Sequence, residues 1–273
     1  LGLSALADGG RFNLNVQITD GATGTTSSWN EPPTLGELTL REELSFLEVA
    51  QAPAAPVIDG AIDEVWARSA AVQTLKEVSG SGGGVATVQT LWHGDKFFIL
   101  MDVADAAVDV TGSSPWEQDS VEIYVDAGNA KNGSYRAEDM QLRINADNEV
   151  SFGAGDVAAQ EARVNSAVVR TDSGYRVEVE IDMLGLGGLD TIHGMDFQVN
   201  DAVDGARFAI RNWSDPSNAG YQSTARWGVG KFVSGTTAPE QPGPEDPGPV
   251  DPKPGTKFAQ VVPTPDLSGD GIA

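Results

Sequence analysis

Most of the chain alternates hydrophobic and polar residues over short segments. The clearest case is Ser120–Asp126, where Val121, Ile123 and Val125 would lie on one face of a strand and the polar residues on the other. Similar segments recur between clusters of Gly, Asn, Asp and Ser, and only Ile62–Ala71 has a weakly helical pattern. The predicted strands lie near residues 86–92, 96–103, 120–125, 140–145, 164–170, 176–181, 196–200, 208–212 and 226–232. This pattern predicts an all-β fold, a jelly-roll-like antiparallel β-sandwich.

Changes in composition divide the chain into parts. Gln51–Pro56 is a short Pro/Ala segment, whereas Thr237–Lys257 is a long Pro/Gly/acidic tract that cannot bury a core and favours an extended spacer. The predicted order is a remnant of another module at 1–46, a linker at 47–55, a complete module at 56–234, a Pro/Gly/acidic linker at 235–257 and a tail at 258–273.

The N-terminal residues repeat a pattern that occurs again near the end of the complete module. The matching segments are Gln17-Ile-Thr-Asp20 with Gln198-Val-Asn-Asp201, and Ser28-Trp-Asn-Glu-Pro32 with Asn212-Trp-Ser-Asp-Pro216. Residues 1–46 are therefore predicted to be the C-terminal remnant of a preceding copy of the same module.

Trp116 and Trp213 both lie among polar residues, close to a proline and at a predicted strand end. Sugar rings have apolar C–H faces that stack on an aromatic plane, and hydroxyl groups that need hydrogen-bonding partners. Two exposed indole rings flanked by carboxylates and amides therefore predict a sugar-binding slot. The alternative is a place in the hydrophobic core, which the apolar surroundings of Trp66 and Trp92 predict for those two residues.

The net charge of −23 and the absence of cysteine limit the classes of function. Such an acidic chain is not expected to bind nucleic acid or an anionic membrane. No apolar run approaches the ~18 residues of a membrane span, and a chain without cysteine has no disulfides or thiolate metal sites. Neutral polysaccharides and metal cations remain as candidate partners.

Several motifs resemble, in order, those of the family 9 carbohydrate-binding modules, which are usually appended to extracellular bacterial family 10 xylanases. The most specific is the block Pro115-Trp-Glu-Gln-Asp-Ser-Val-Glu122. The others are Pro56-Val-Ile-Asp-Gly-Ala-Ile-Asp-Glu-Val-Trp66, Val88-Gln-Thr-Leu-Trp92, Gln141-Leu-Arg-Ile-Asn145, Gln198-Val-Asn-Asp201 and Trp213-Ser-Asp-Pro216. Ser114 stands where the family usually has Asn before the Pro-Trp pair.

The resemblance implies a secreted, non-catalytic β-sandwich that holds the reducing-end sugars of cellulose, xylan or their oligosaccharides between two Trp rings. It further implies structural calcium and a covalently linked catalytic domain, a xylanase, in the parent chain. At the matching positions the rings are Trp116 and Trp213, and the hydrogen-bonding groups are Glu122, Arg143, Asn145, Gln118 and Asn200.

Acidic residues near predicted turns are candidate calcium ligands, because Ca²⁺ is bound by carboxylate and carbonyl oxygens. The candidates are Asp59, Asp63, Asp105, Asp126 and Asp201. The tail segment Asp266–Gly271 is similar to the first half of a dockerin or EF-hand calcium loop, without the bidentate acid at position 12.

Two other functions fit some of the same residues. A glycoside hydrolase needs two carboxylates across a sugar, such as Glu122 with Asp119 or Glu117. The period of two places Asp119 and Glu122 on opposite faces of one strand, which argues against that pair. A ligand-free structural or adhesion sandwich would instead use Glu122 and Arg143 as a cross-strand ion pair.

Overall fold

The structure is a computed structural model that describes residues 11–28, 30, 35–39 and 44–235. Apart from residue 235, the predicted linker at 235–257 and the predicted tail at 258–273 lie outside the described residues. Contacts divide the chain into two units, one containing Leu1–Leu44 and the other Ser45–Glu245. Within the described ranges, no helix is both long and apolar enough to cross a membrane.

The first unit contains two small antiparallel strand pairs. Strand β1 (Arg11–Leu14) pairs with β4 (Gly36–Thr39), and β2 (Gln17–Thr19) pairs with β3 (Thr26–Ser28).

Thirteen strands of the second unit form one sheet. They are β5 (Phe46–Gln51), β6 (Val72–Gln73), β7 (Lys76–Ser79), β8 (Val85–His93), β9 (Lys96–Ala104), β10 (Ser120–Asp126), β11 (Met140–Asn145), β12 (Val150–Phe152), β13 (Val164–Thr171), β14 (Gly174–Asp182), β15 (Ile192–Val203), β16 (Ala206–Asn212) and β17 (Gly228–Val233). One short α-helix, α1 (Val157–Glu161), and the 3-10 turns Glu64–Arg68 and Pro115–Glu117 are the described helical segments.

The sheet follows the order β12-β11-β10-β15-β17-β5-β8-β9-β14-β13, with β16 beside β15, β7 beside β16 and β6 beside β8. It curls, so that apolar side chains of β10, β11 and β15 meet those of β8, β9 and β14 in one core. Val121, Ile123 and Val125 lie in this core because they alternate along β10. The predicted all-β sandwich is confirmed, and all nine predicted strands are present.

Strand β5 corrects the predicted start of the module. It runs parallel to β17 on one side and to β8 on the other, and Val49 is fully buried. The predicted linker at 47–55 is therefore wrong over its first half, because Phe46–Gln51 is an integral strand of the sheet. The Pro/Ala composition of Gln51–Pro56 suggested a hinge, so the short strand that precedes this segment was not predicted.

A second, smaller apolar cluster lies on the outer face of β8 and β9. Trp66 on the 3-10 turn packs there against Leu91, Phe98 and Leu100, and its indole N–H donates to Glu178 Oε1 at 3.0 Å. Trp92 is also buried, in the main core. The prediction that Trp66 and Trp92 are core residues is confirmed.

The position of β5 gives a testable expectation for truncation. Burial of Leu47 and Val49 contributes about 1.5–3 kcal/mol per side chain, and removal of β5 also leaves one edge of β17 and one edge of β8 unpaired. A fragment starting at Pro53 should therefore melt more than about 10 °C below a fragment starting at Ser45, or fail to fold. Thermal unfolding followed by circular dichroism tests this, and equal melting temperatures would contradict the placement of β5.

Candidate functional site

Three neighbouring strands carry a buried polar surface on the side of the sheet opposite the core. These side chains share one face because they alternate with core residues, and cross-strand pairing places Glu122 of β10 directly between Arg143 of β11 and Gln198 of β15. We call this surface the polar sheet face. Its nine residues, all buried, are Gln141, Arg143, Asn145, Ser120, Glu122, Tyr124, Asp196, Gln198 and Asn200.

Glu122 is the centre of the polar sheet face. Its Oε1 accepts hydrogen bonds from Arg143 Nε at 2.9 Å and Asn200 Nδ2 at 2.8 Å. Its Oε2 accepts from Gln141 Nε2 and from the Tyr124 hydroxyl, both at 2.8 Å. Burial works to raise the pKa of the Glu122 carboxyl, but the Arg143 charge and these hydrogen bonds hold it below its usual value. Glu122 is therefore a fixed anion that orients its neighbours.

Trp116 is exposed beside this network, as predicted. It lies on the 3-10 turn Pro115–Glu117, which begins with a capping box formed by Ser114 and Glu117. The indole is 47% exposed, and the Arg143 guanidinium carbon lies 5.9 Å from its ring centroid. The structure thus presents an open aromatic ring next to buried polar groups.

The remaining predicted hydrogen-bonding residues converge on the same place. Asn145 Nδ2 donates to Gln118 Oε1 at 2.7 Å and to Glu149 Oε2 at 3.0 Å, while Asn200 connects Glu122 to Ser120. A cleft of about 240 Å³ opens here, lined by Ser113, Pro115, Gln118, Arg143, Asn145, Glu149, Val150 and Ser151. Glu122, Arg143, Asn145, Gln118 and Asn200 are thus brought together.

Trp213 is not exposed, and its predicted role as the second open ring is wrong. Only 7% of the residue is accessible, and its ring packs on Phe197 at 5.6 Å between centroids. Its backbone N–H donates to the Phe197 carbonyl, so the pairing of β16 continues one residue beyond Asn212. This extra residue of pairing turns the indole to the core side, although its sequence neighbours are polar.

Tyr221 is an exposed aromatic residue that the sequence analysis missed. It lies on the loop Ser214–Trp227 and is 51% exposed. The Tyr135 hydroxyl donates to the preceding Gly220 carbonyl at 2.7 Å, and Trp227 packs on Tyr124 at 5.1 Å between centroids. The loop is therefore anchored over the polar sheet face. An aromatic residue in the otherwise small and polar segment Asn218–Ser223 was the available sequence signal.

Asp196 anchors the beginning of this loop. Its buried carboxylate accepts backbone N–H groups of Ser214 and Asp215, each at 2.8 Å. Burial raises the pKa of Asp196 to about 7, against the lowering effect of these hydrogen bonds.

The carboxylate pair of the hydrolase hypothesis does not converge. Asp119 accepts N–H groups of Ala202 and Asp109, away from Glu122. The Glu117 carboxylate accepts the backbone N–H of Ser114 in the capping box and the Ser113 hydroxyl. Neither carboxylate faces Glu122 across a space for a sugar.

Asp119 belongs instead to a cluster of three acids. Carboxylate oxygens of Asp105, Asp119 and Asp201 lie within 4.8 Å of one another. Burial and then the charges of Asp105 and Asp201 raise the pKa of Asp119 to about 7, against two backbone hydrogen bonds. The buried Tyr175 hydroxyl, whose pKa is raised by burial and then by the three acids, has no hydrogen-bond partner. The cluster thus combines uncompensated negative charge with an unused polar atom.

The other predicted calcium ligands are engaged elsewhere. Asp126 forms a salt bridge with Arg136 at 2.8 Å and accepts the Lys131 N–H, so its charge is already compensated. Asp59 and Asp63 accept backbone N–H groups in the segment before the first 3-10 turn. Among the described residues, they join no group of three converging acids. These three predictions are not supported, whereas Asp105 and Asp201 come together with the unpredicted Asp119.

Comparison with known families agrees with this geometry. Residues 58–234 match the model described as "Carbohydrate family 9 binding domain-like". The chain belongs to this family. It is accordingly a non-catalytic carbohydrate-binding module, which confirms the predicted family and excludes the hydrolase alternative for this domain.

Relatives of this family 9 module are parts of longer chains. Exoglucanase XynX of Acetivibrio thermocellus is 36% identical over 80% of this chain, and endo-1,4-beta-xylanase A of Thermotoga neapolitana is 39% identical over 63% of it. The matches span 21% and 16% of those two proteins.

A solved family 9 module from Caldicellulosiruptor kristjanssonii, in complex with cellotriose, is similar in structure. It has a TM-score of 0.65 and 27% identity, covering 76% of this chain and all of that one. A second structure of a module from the same organism, in complex with glucose, has the same TM-score.

The raised pKa of Asp196 predicts a pH-dependent effect of Asp196→Asn. In the folded module the pKa is about 7, above its usual value of 3.8, so the folded state binds the proton more tightly than the unfolded chain. The stabilisation that the protonated Asp196 carboxyl contributes is fully present below pH ~4 and is lost as the pH rises through ~7. Asn does not titrate, so the deficit of the variant in unfolding free energy should be smaller at pH 8 than at pH 5.

Urea unfolding at the two pH values measures this difference. The same change at the exposed Asp172 serves as the control. A deficit that grows between pH 5 and pH 8 would show that the ionised Asp196 stabilises the fold, contrary to this expectation.

Proposed function

We propose that the module binds sugar units at the reducing ends of cellulose or xylan chains, with Trp116 and Tyr221 as its two aromatic platforms. The observation that supports this most directly is the position of two exposed rings beside a polar sheet face whose groups are already held in place. Tyr221 takes the role that the sequence analysis gave to Trp213.

The polar sheet face is suited to sugar hydroxyl groups. Arg143 offers guanidinium N–H donors at the cleft, and Glu149 and Gln118 offer oxygen acceptors. Because Glu122 fixes Arg143 by a buried ion pair, little side-chain entropy is lost when a sugar binds. The Glu122–Arg143 ion pair expected for a ligand-free structural sandwich is present, and in this proposal it holds Arg143 in position for the sugar.

The parent protein is, in this proposal, a secreted xylan-degrading enzyme whose catalytic domain is held near its substrate by the module. The relatives named as xylanases and an exoglucanase support this. A Pro-rich tract such as Thr237–Lys257 acts as a semi-rigid spacer and raises the effective concentration of a tethered partner.

We further propose that Asp105, Asp119 and Asp201 bind a structural calcium ion. Hard cations prefer several oxygen ligands, and three carboxylates with the unpartnered Tyr175 hydroxyl nearby fit that chemistry. A bound cation would compensate the charge that raises the pKa of Asp119. Because Asp119 directly precedes β10 and Asp201 lies in β15, the ion would brace two strands of the polar sheet face.

Sugar binding should depend on Trp116 and Tyr221 but not on Trp213. At ~0.3 kcal/mol per heavy atom, a disaccharide of about 23 atoms should bind with a Kd on the order of 10 μM. Loss of one stacking ring in Trp116→Ala or Tyr221→Ala should weaken binding about tenfold or more. Calorimetric titration with cellobiose and xylobiose measures this.

The matched control is Trp213→Phe, which should lower stability while leaving the Kd within about twofold of the wild type. Unchanged binding in both Ala variants would exclude the proposed platforms. Titration with the end-reduced alditols of cellobiose and xylobiose tests whether the reducing end is required. If it is, the alditols should bind at least about tenfold more weakly than the parent sugars.

Calcium should stabilise the chelator-treated protein through the three acids. With Ca²⁺ at about 100 times its Kd, the expected gain is about 2.7 kcal/mol, a rise in Tm of several degrees. Asp119→Asn should abolish this rise, whereas Asp63→Asn, a change in an acid outside the cluster, should retain it. A calcium response that survives in Asp119→Asn would place the ion elsewhere.

A further inference from the structure

The first unit reproduces the strand pairing at the end of the module, residue for residue. β1 and β2 correspond to the two halves of β15, while β4 corresponds to β17 and β3 to β16. The equivalent pairs are Leu14–Gly36 and Met195–Gly228, and likewise Ile18–Ser27 and Val199–Arg211. In both cases the residues of β1 and β2 lie 181 positions before those of β15 (195 − 14 and 199 − 18). The repeat seen in the sequence therefore extends to hydrogen-bond register.

The start of the following loop is also shared. In the module, the N–H of Ser214 donates to Asp196 Oδ1 at 2.8 Å. In the first unit, the N–H of Asn30 donates to the Oδ1 of Asn15 at 3.0 Å. The same backbone-to-side-chain contact thus recurs at equivalent positions of the two units.

The two loops then differ in length. Fourteen residues separate Trp213 from Gly228, whereas six separate Trp29 from Gly36, a difference of eight (14 − 6). The longer loop contains the exposed Tyr221 and the buried Trp227, which packs on Tyr124 and Tyr135. The shorter counterpart, Asn-Glu-Pro-Pro-Thr-Leu, contains no aromatic residue.

A second difference affects the polar sheet face. Asn200 donates to the central Glu122 at 2.8 Å, and its counterpart in the first unit is Thr19. A threonine hydroxyl is shorter than an amide and cannot reproduce this contact across the strands. The repeat has kept the strand register but not the groups that form the site.

We propose that the eight additional residues in Ser214–Trp227 create the sugar site, and that the copy of the module ending with residues 11–39 does not bind sugar at the equivalent position. This inference rests on the proposed function, since it assumes that Tyr221 contacts the ligand. Its consequence is that a parent chain with two copies holds a glycan chain end with one of them and gains no avidity from the pair.

The direct test is a loop exchange in this chain. Ser214–Trp227 is replaced by the six residues that follow Trp29, and cellobiose binding is measured by calorimetry. We expect binding at least 100-fold weaker than in the wild type, with circular dichroism still showing a folded β-sheet protein. Ser217→Ala, an exposed change in the same loop, is the matched control and should bind normally. A folded exchange variant with a Kd within threefold of the wild type would overturn the inference.

A second measurement does not depend on the folding of that variant. The parent chain, with its catalytic site blocked by a covalent glycoside inhibitor, should bind one cellobiose per chain, and Tyr221→Ala should weaken that single site about tenfold or more. Two sites in the wild type, or a site that keeps the wild-type Kd after Tyr221→Ala, would show that the preceding copy binds sugar. Absence of binding in the wild type of either protein would instead reject the proposed function itself.

Discussion

The polar sheet face depends on one buried carboxylate, that of Glu122. Four donors from three strands converge on it, so the strand register and the orientation of Arg143 are fixed together. A buried ion pair of this kind adds little net stability, but removal of one partner leaves an uncompensated charge and is strongly destabilising. The site is therefore held rigid by the same contacts that define the middle of the sheet.

Three buried acids around the site have their charge compensated in different ways. Glu122 pairs with Arg143, which keeps its pKa low, whereas Asp196 has only N–H dipoles and its pKa rises to about 7. Asp119 also receives N–H groups but lies beside two further carboxylates. A cation at that position would compensate the charges of Asp105, Asp119 and Asp201, which is the physical reason for proposing calcium there.

The two units share a strand register but differ in the length of the loop that precedes β4 in one and β17 in the other. Strand register is determined by backbone pairing and by the alternation of core residues, and it tolerates a change of eight residues in the connecting loop. The longer loop of the module carries the exposed Tyr221 and the buried Trp227, which packs on Tyr124 of the polar sheet face. Tyr221 thus lies on a loop whose length differs between the two units, on strands whose register is the same.

From the sequence alone, nine of the thirteen strands of the large sheet and the family were predictable. The shared face of Arg143 and Asn145 was predictable because a period of two places alternate residues of one strand on the same face, whatever the rest of the fold does. Their grouping with Glu122 followed from the family resemblance. Trp116 was also predictable from its proline-marked turn. Tertiary structure decided what depends on distant segments. β5 needed partners more than 35 residues away along the chain, one of them β8. Asp119 met Asp201 through the antiparallel pairing of β10 with β15, and both met Asp105, which follows β9, only through the curl of the sheet. One further residue of pairing turned Trp213 into the core, and the anchored loop left Tyr221 exposed.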